Sequence, residues 1–308
     1  MYRLHLVPYG TKIDFIKYSK YTISVAIATI VLCLSFLCFK GLNYGIDFKG
    51  GYIFEVTMPT TPDVSEMRSK LSNLGLGSAS IQQFGGPKDL LIKLEQSKEE
   101  GKGQAIAIQK VKDSLGKDVV YKRVETVGPK VGNELVANAI KAVGFALLAM
   151  LIYIVLRFEW QFALCAVAAL INDCTIIFGM FSIFPLEFSE TSITAILLTA
   201  SYSINDTVVI FDRIRENLRR YRNLSNGEVI NKGLNDTLSR TLLTATTTLL
   251  AVFSLYLFGG KVIASLALPI MVGISVGTFS PICIAAPLLM YLNLKPKTEK
   301  INKGEPTI

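Results

Sequence analysis

The sequence from Ser192 to Phe211, SITAILLTASYSINDTVVIF, indicates the fold class of this chain of 308 residues. It is apolar over roughly the 20 residues that an α-helix needs to cross a bilayer, yet it contains an acid, Asp206. An ionised Asp at the centre of such a helix costs about 2.5 to 3.5 kcal/mol, and acids kept there usually face a bundle interior on an ion or proton pathway. Asp206 is therefore the first candidate site residue, and Arg240, which opens the next apolar run, is its candidate partner.

Five further apolar runs accompany this one, and 51% of the chain is hydrophobic, with a mean hydropathy of +0.43. They are Tyr21 to Phe39, Ala137 to Leu156, Phe162 to Phe184, Leu242 to Phe258 and Val262 to Leu292. The first is too long for the apolar part of a signal peptide, and no small residues for cleavage follow it. The six runs predict a membrane protein with a bundle of six transmembrane helices.

The distribution of Lys and Arg predicts the orientation. Basic residues cluster in the amino terminus, in the connection after the fourth run and in the tail, whereas Pro185 to Glu190 has none. The positive-inside rule then places both termini in the cytoplasm. The predicted parts are a cytoplasmic amino terminus (1–20), helix 1 (21–40), an exported domain (41–135), helices 2 to 6 (136–292) with a basic cytoplasmic loop (212–240), and a cytoplasmic tail (293–308). The net charge of +8 is largely this topology signal, with membrane lipid as a partner, and requires no nucleic acid.

The hydrophilic segment between helices 1 and 2 has its own pattern. Strands are predicted at Tyr52 to Met58, Ser80 to Phe84, Leu90 to Glu95 and Val119 to Val127, and helices at Asp63 to Leu74 and Gly103 to Leu115. Gly85-Gly86-Pro87 supplies a turn between the central strands. This order predicts an α+β domain of the split βαβ, or ferredoxin-like, kind, which supports many functions.

Several function classes are unfavourable. All five cysteines lie in apolar runs, so we expect buried packing residues and no disulfide framework. The only histidine, His5, makes a His-based metal site or catalytic triad improbable, and no glycine-rich segment has the spacing of a phosphate-binding loop. We therefore predict no enzyme activity, no cofactor and no metal.

Polar residues inside the runs form the remaining candidate site. Ser192, Thr199, Ser203 and Asp206 share one helical face, and Gly273 and Gly277 permit close helix contact. Asp173 in the third run is a further candidate acid. Other interpretations stay open: Asp206 as a structural acid, Arg240 as a snorkelling side chain, and Asp173 as a packing acid satisfied by Asn172 or a neighbouring helix.

Five motifs carry a family resemblance. They are GIDFKGG at 45–51, VGPKVG at 127–132, SYSINDT at 201–207 with FDRIREN at 211–217, LSRTL at 238–242, and FGG at 258–260. They resemble the motifs of the SecD/SecF protein-export membrane proteins, of the resistance-nodulation-division superfamily, and the short exported domain matches the SecF branch. The chain departs at Ser201, where the family usually has Gly, and at Asn172, where many members have His.

The resemblance implies a multi-pass protein of the bacterial inner membrane that pairs with SecD. Together they would assist the SecYEG translocon, alongside SecA, YajC and YidC, and use the proton gradient to export unfolded polypeptide. It implies proton-coupling roles for Asp206, Arg240 and, less directly, Asp173. The implied motif and conformational residues are Gly45, Asp47, Gly50, Gly51, Gly128, Pro129, Asn205, Asp212, Arg213, Gly259 and Gly260.

Proton uptake by Asp206 would remove the charge that attracts Arg240 or water, so the helices could repack between two arrangements. Three rivals remain. Asp173 and Asp206 could form an intramembrane aspartyl protease dyad, although their predicted depths differ. The chain could instead be a purely structural assembly subunit, or a small-molecule exporter of the same superfamily.

Overall fold

The computed structural model describes residues 12–74, 79–83, 86–95, 104–116, 118–184, 186–292 and 294. Ten α-helices lie in these ranges: α1 (Ser19–Lys40), α2 (Ile46–Lys49), α3 (Val64–Ser72), α4 (Gln104–Leu115), α5 (Pro129–Arg157), α6 (Trp160–Ile183), α7 (Glu190–Arg220), α8 (Asn226–Phe258), α9 (Gly260–Ser280) and α10 (Ala286–Leu289). The strands are β1 (Gly51–Thr57), β2 (Ala79–Gln83), β3 (Asp89–Glu95) and β4 (Val120–Val127). A 3₁₀ turn precedes α1, and a π-helical turn at Pro281–Ala285 joins α9 to α10. Part of the predicted amino terminus (1–11), most of the tail (293–308), and the predicted positions Phe84, Gly85, Gly103 and Pro185 lie outside the described residues.

Six helices are long and apolar enough to cross a membrane, which confirms the predicted number. They are α1, α5, α6, α7, α8 and the α9 segment that continues through the π-helical turn to Leu289. The largest buried cluster lies among α5 to α8, the π-helical turn and α10, and includes Phe162, Phe211 and Ile230. By contrast, α1 and α5 expose most of their apolar side chains, as helices facing lipid or another chain do.

The segment 212–240, predicted as a loop, is helical except for the five residues from Tyr221 to Ser225. Apart from Arg222 in the turn, its charged residues lie on amphipathic extensions of α7 and α8 that bury Ile214 and Leu234. Ser225 begins α8 with a capping box, because its hydroxyl accepts from the Glu228 backbone N–H and Glu228 reaches back to the Ser225 backbone. The many charged residues of this segment therefore mark a solvated helix surface, and the helical structure is interrupted only at the turn from Tyr221 to Ser225.

The sheet has the order β2-β3-β1-β4, and every neighbouring pair is antiparallel. All six predicted elements of this domain occur, with bounds close to those predicted. Alternate strand residues such as Phe54, Ile81 and Ile92 are buried against α3 and α4 in a separate core. Asp63 begins α3 by accepting from the Ser65 backbone N–H at 2.8 Å. We call β1–β4 with α3 and α4 the sheet domain, and the end of the bundle away from it the distal end.

Candidate functional site

The polar face of α7 is buried, as its spacing predicts. Ser192, Thr199, Ser203 and Asp206 are all inaccessible to solvent or nearly so. The face packs closely on α9 because glycines stand opposite it. A Cβ added to Gly273 would lie 2.1 Å from Thr199 Oγ1, and one added to Gly277 would lie 3.0 Å from Ser203 Cβ. The small residues of α9 thus let two membrane helices meet on a polar seam.

Asp206 occupies this seam with only 4% of its surface exposed. Its Oδ2 atom has no hydrogen-bond partner in the described part of the chain. Arg240 lies near enough to interact electrostatically with Asp206, but the two form no ion pair within 4.0 Å, and Arg240 is exposed. The predicted partner is therefore a neighbour of the acid and does not satisfy its free oxygen.

Asp173 on α6 is fully buried and differs from Asp206 in having both oxygens bonded. Ser203 Oγ donates to its Oδ2 at 2.5 Å, and Asn172 Nδ2 donates to its Oδ1 at 3.0 Å. Asp173 thus links α6 to α7 through Ser203, which lies about one helical turn before Asp206 on α7. The two carboxyl groups share no hydrogen bond, so the arrangement lacks the geometry of an aspartyl dyad.

Two further buried polar atoms near these acids have no hydrogen-bond partner among the described residues: Thr241 Oγ1 and Asn172 Oδ1. Thr241 follows Arg240 on α8, and Asn172 precedes Asp173 on α6. A buried polar group left unpaired costs about 1 to 3 kcal/mol, so several together mark a site and need a reason. Sequence patterns do not single out Thr241, because a lone hydroxyl in an apolar run carries no strong signal.

The motif at 45–51 forms a tight turn, α2, between α1 and β1. Gly50 ends α2 with φ +85°, a conformation that favours glycine. Gly51 has no room for a side chain, because a Cβ there would lie 2.1 Å from the Leu94 carbonyl oxygen. A Cβ on Gly132 of α5 would likewise lie 2.4 Å from the Phe48 carbonyl oxygen. These glycines let the turn pack between the sheet and α5.

The same turn is fastened to the α6–α7 connection (residues 186–189). Gly45 N donates to Phe188 O and Phe188 N donates to Asn43 O, both at 2.8 Å. The Phe188 ring packs on that of Phe48, with centroids 6.0 Å apart. The Asp47 side chain is half-buried and forms no ion pair or hydrogen bond with any described side chain.

One ion pair ties the sheet directly to the same connection. Lys93 Nζ of β3 lies 3.2 Å from Glu187 Oε1, with 15% and 23% of the two side chains exposed. A partly buried pair in this position joins the sheet domain to the ends of α6 and α7. Movement of those helix ends would therefore be transmitted to the sheet.

At the distal end, Asp212 and Arg213 take part in a charged network. Arg157 Nη2 at the end of α5 donates to both Asp212 oxygens at 2.8 Å. Arg213 pairs with Asp236 of α8 at 2.9 Å, and Asn217 donates to the same carboxylate. The network joins α5, α7 and α8 within two turns of Asp206.

The remaining motif residues form turns and helix ends. Gly128 caps α5 and Pro129 is its first residue, while Gly259 ends α8 and Gly260 begins α9 with φ +73°. Asn205 is exposed on α7, on a different face from Asp206. No group of His, Cys, Asp and Glu suited to a metal occurs in the described residues.

Known proteins match the chain over its length. The family described as "Protein export membrane protein SecD/SecF, C-terminal" matches residues 107–295, and "SecD/SecF GG Motif" matches 35–58. The chain is 40% identical over 308 residues to the protein translocase subunit SecF of Rickettsia prowazekii, covering 99% of both. The chain belongs to the SecF branch of the SecD/SecF family. The SecF of Rickettsia felis is 41% identical over 300 residues, covering 96% of this chain and 97% of that protein.

Solved structures agree with this membership of the SecF branch. The crystal structure of SecDF, a translocon-associated membrane protein from Thermus thermophilus, is 35% identical with a TM-score of 0.78 and covers 92% of this chain. A structure of SecDF in a super-membrane-facing form is also 35% identical, with a TM-score of 0.71 and 94% coverage. The chain spans 39% of the length of each of those two proteins. Family membership and the six apolar helices identify a multi-pass membrane protein with a role in protein transport.

Proposed function

We propose that this chain is an auxiliary subunit of the Sec machinery that acts with SecD to couple the proton gradient to export of polypeptides. The family membership supports the Sec pathway, and the naming of the relatives as translocase subunits supports a transport role without enzyme chemistry. The solved relatives are titled SecDF and are longer than this chain, which supports SecD as the partner. SecYEG, SecA, YajC and YidC are proposed partners by the same resemblance.

One observation carries the coupling: Asp206 is buried among membrane helices with an oxygen that no described residue satisfies. A structural acid would be expected to have both oxygens bonded, as Asp173 has. A carboxylate oxygen without a hydrogen-bond partner remains available to bind a proton. When Asp206 binds a proton, the attraction to Arg240 is lost and the balance between two helix arrangements shifts.

The gradient supplies enough free energy for such a shift. A membrane potential contributes about 2.3 kcal/mol per elementary charge per 100 mV. Moving an equilibrium from about 1:99 to 99:1 requires roughly 5.5 kcal/mol, so about three charges at 100 mV, or fewer with a pH gradient, are sufficient. Asp173, held between Asn172 and Ser203, is proposed to transmit the change from α7 to α6.

The change would reach the sheet domain through the turn at 45–51. The α6–α7 connection holds that turn through Phe188 and holds β3 through Glu187. We assign the sheet domain to the ferredoxin-like class, because its strand order and its two crossover helices are those of the split βαβ unit. It lies outside the bacterial inner membrane in our proposal, with both termini and the distal charged network in the cytoplasm.

The proposal predicts that the subunit makes export respond to an imposed proton gradient. A preprotein would be added to inverted vesicles that contain SecYEG, with and without this chain and SecD. A proton gradient would then be imposed across the vesicle membrane. We expect the gradient to accelerate completion of export only when both subunits are present. Equal acceleration without them would contradict the proposal.

A further inference from the structure

A polar cleft of about 390 Å³ separates the sheet domain from the membrane helices. One wall is the sheet face that points away from α3 and α4. The other wall consists of the α6–α7 connection, the first turn of α7 and the beginning of α9. The lining of the cleft includes Asn43, Asp47, Ser80, Gln82, Lys93 and Ser265.

The alternation of β2 and β3 makes the sheet wall mostly polar, with Leu91 as its apolar residue. Ile81 and Ile92 point into the core of the sheet domain, so Ser80 and Gln82 on β2 and Lys93 on β3 face the cleft. β2 is also an edge strand, because its only neighbour in the sheet of described strands is β3. The cleft therefore runs beside an unpaired strand edge.

Three neutral side chains in the cleft have unused hydrogen-bonding capacity. Asn43, Ser80 and Gln82 form no side-chain hydrogen bond with any other described residue, and none is fully buried. An extended polypeptide presents one donor and one acceptor per residue, except at proline. Neutral amide and hydroxyl groups can bind such a backbone without selecting its side chains.

The charge of the cleft is mostly compensated. Glu187 pairs with Lys93 and Glu95 pairs with Lys49, which leaves Asp47 as the wall carboxylate without an ion-pair partner among the described residues. A slightly negative cleft disfavours acidic ligands such as phosphate head groups and favours neutral or basic peptide segments.

We infer that this cleft binds a short extended stretch of the exported polypeptide through its backbone. The inference rests on the proposed function and adds to it a contact site for the substrate. A site between the sheet domain and the helix ends would change shape when either moves, so the polypeptide would be held and released within each cycle.

Site-specific crosslinking tests the inference in the complete complex. A photoreactive amino acid would replace Ser265 in the cleft, with Ser69 on α3, an exposed residue on the other side of the sheet, as the matched control. Vesicles would carry a preprotein stalled during export. We expect an adduct with the preprotein from position 265 and none from position 69. No adduct from 265, or adducts only with SecD or lipid, would overturn the inference.

The variant Gln82→Ala gives a second measurement with the probe kept at 265. We expect the adduct yield to fall about fivefold, which corresponds to about 1 kcal/mol and the loss of one hydrogen bond. An unchanged yield would count against backbone binding at Gln82. Gradient-dependent export measured in the same vesicles reports on the proposed function separately, because it can persist when no adduct forms.

Discussion

At the scale of single residues, the two buried acids have different environments and should respond differently to the same substitution. Asp173→Asn places an NH₂ group where either Ser203 or Asn172 now donates, so one buried donor loses its acceptor. We expect the free energy of unfolding to fall by about 1 to 3 kcal/mol. Asp206→Asn removes no hydrogen bond at Oδ2 and should leave stability nearly unchanged.

Thermal unfolding of the purified complex in detergent measures both effects. A lower unfolding temperature for the Asp173 variant and an unchanged one for the Asp206 variant is the expected result. Equal losses would mean that Asp206 is a structural acid like Asp173.

Asp89 of β3 gives the sheet domain a predictable pH dependence. The Thr57 hydroxyl at 2.5 Å and the Lys122 ammonium at 2.9 Å hold the pKa of Asp89 below its ordinary value. Stability from these contacts is fully present above about pH 4 and is lost as the pH falls through the lowered pKa. Asp89→Asn should therefore speed amide exchange in β1 and β3 at neutral pH, and the difference from wild type should shrink in acid.

Hydrogen exchange of the complex checks this, with Glu66→Gln as the control because the Glu66–Lys70 pair is exposed. Amide exchange at the wild-type rate in Asp89→Asn at neutral pH would contradict this stabilising role of Asp89. The sequence shows which residues of these strands are charged. It does not show that Thr57, Asp89 and Lys122 meet, because their meeting depends on the strand register, which brings Thr57 opposite Asp89.

The sequence is equally incomplete as a guide to the buried polar groups of the membrane helices. Asp206 stands out in the sequence because a charge in an apolar run is costly wherever it lies. Thr241 does not stand out, since a threonine hydroxyl can bond to its own helix backbone, as Thr199 does with Ala195. Only the packing of the helices shows that the Thr241 hydroxyl lacks a partner among the described residues.

At the scale of helices and strands, the contact of α7 with α9 depends on a glycine. Gly273→Ala places a methyl group 2.1 Å from Thr199 Oγ1, and such overpacking costs about 1 to 3 kcal/mol. Gly144→Ala on α5 is the matched control, because a Cβ there meets nothing within 4 Å. It should be neutral or stabilise by up to about 1 kcal/mol.

Unfolding temperatures of the two variants, measured in the same detergent, test this prediction. Loss of stability in the Gly144 variant alone would contradict the α7–α9 contact.

Element types were largely predictable, and the reason differs between the two parts of the chain. In the sheet domain, alternation of apolar and polar residues, as in Phe54 to Met58, identifies strands directly. In the bundle, hydropathy finds the spans but not the helix ends. The charged residues after Phe211 predict a loop, whereas Ile214 and Asn217 continue a buried helical face.

At the scale of the whole molecule, the Lys93–Glu187 pair should matter for coupling between the sheet and the bundle. Lys93→Glu places two carboxylates together at a partly buried contact and should loosen it. The double variant Lys93→Glu with Glu187→Lys restores opposite charges. We expect gradient-dependent export to fall in the single variant and to recover, at least in part, in the double variant.

Export by energised vesicles measures this, and amide exchange at Phe188, whose N–H donates to Asn43, reports the loosening directly. Full export by the single variant would show that the pair carries no coupling. The sequence could not predict this contact, because Lys93 and Glu187 are far apart in the chain and meet only once the sheet has docked on the bundle.

We propose that proton binding by Asp206 drives export, and a neutral substitution of this residue tests the proposal. Vesicles carrying Asp206→Asn would be assayed for gradient-dependent completion of preprotein export, with co-purification of SecD checked in the same preparation. We predict loss of the gradient-dependent step with the SecD complex intact. Full gradient-dependent export by this variant would contradict the claim, and loss of the complex as well would favour a structural role for Asp206.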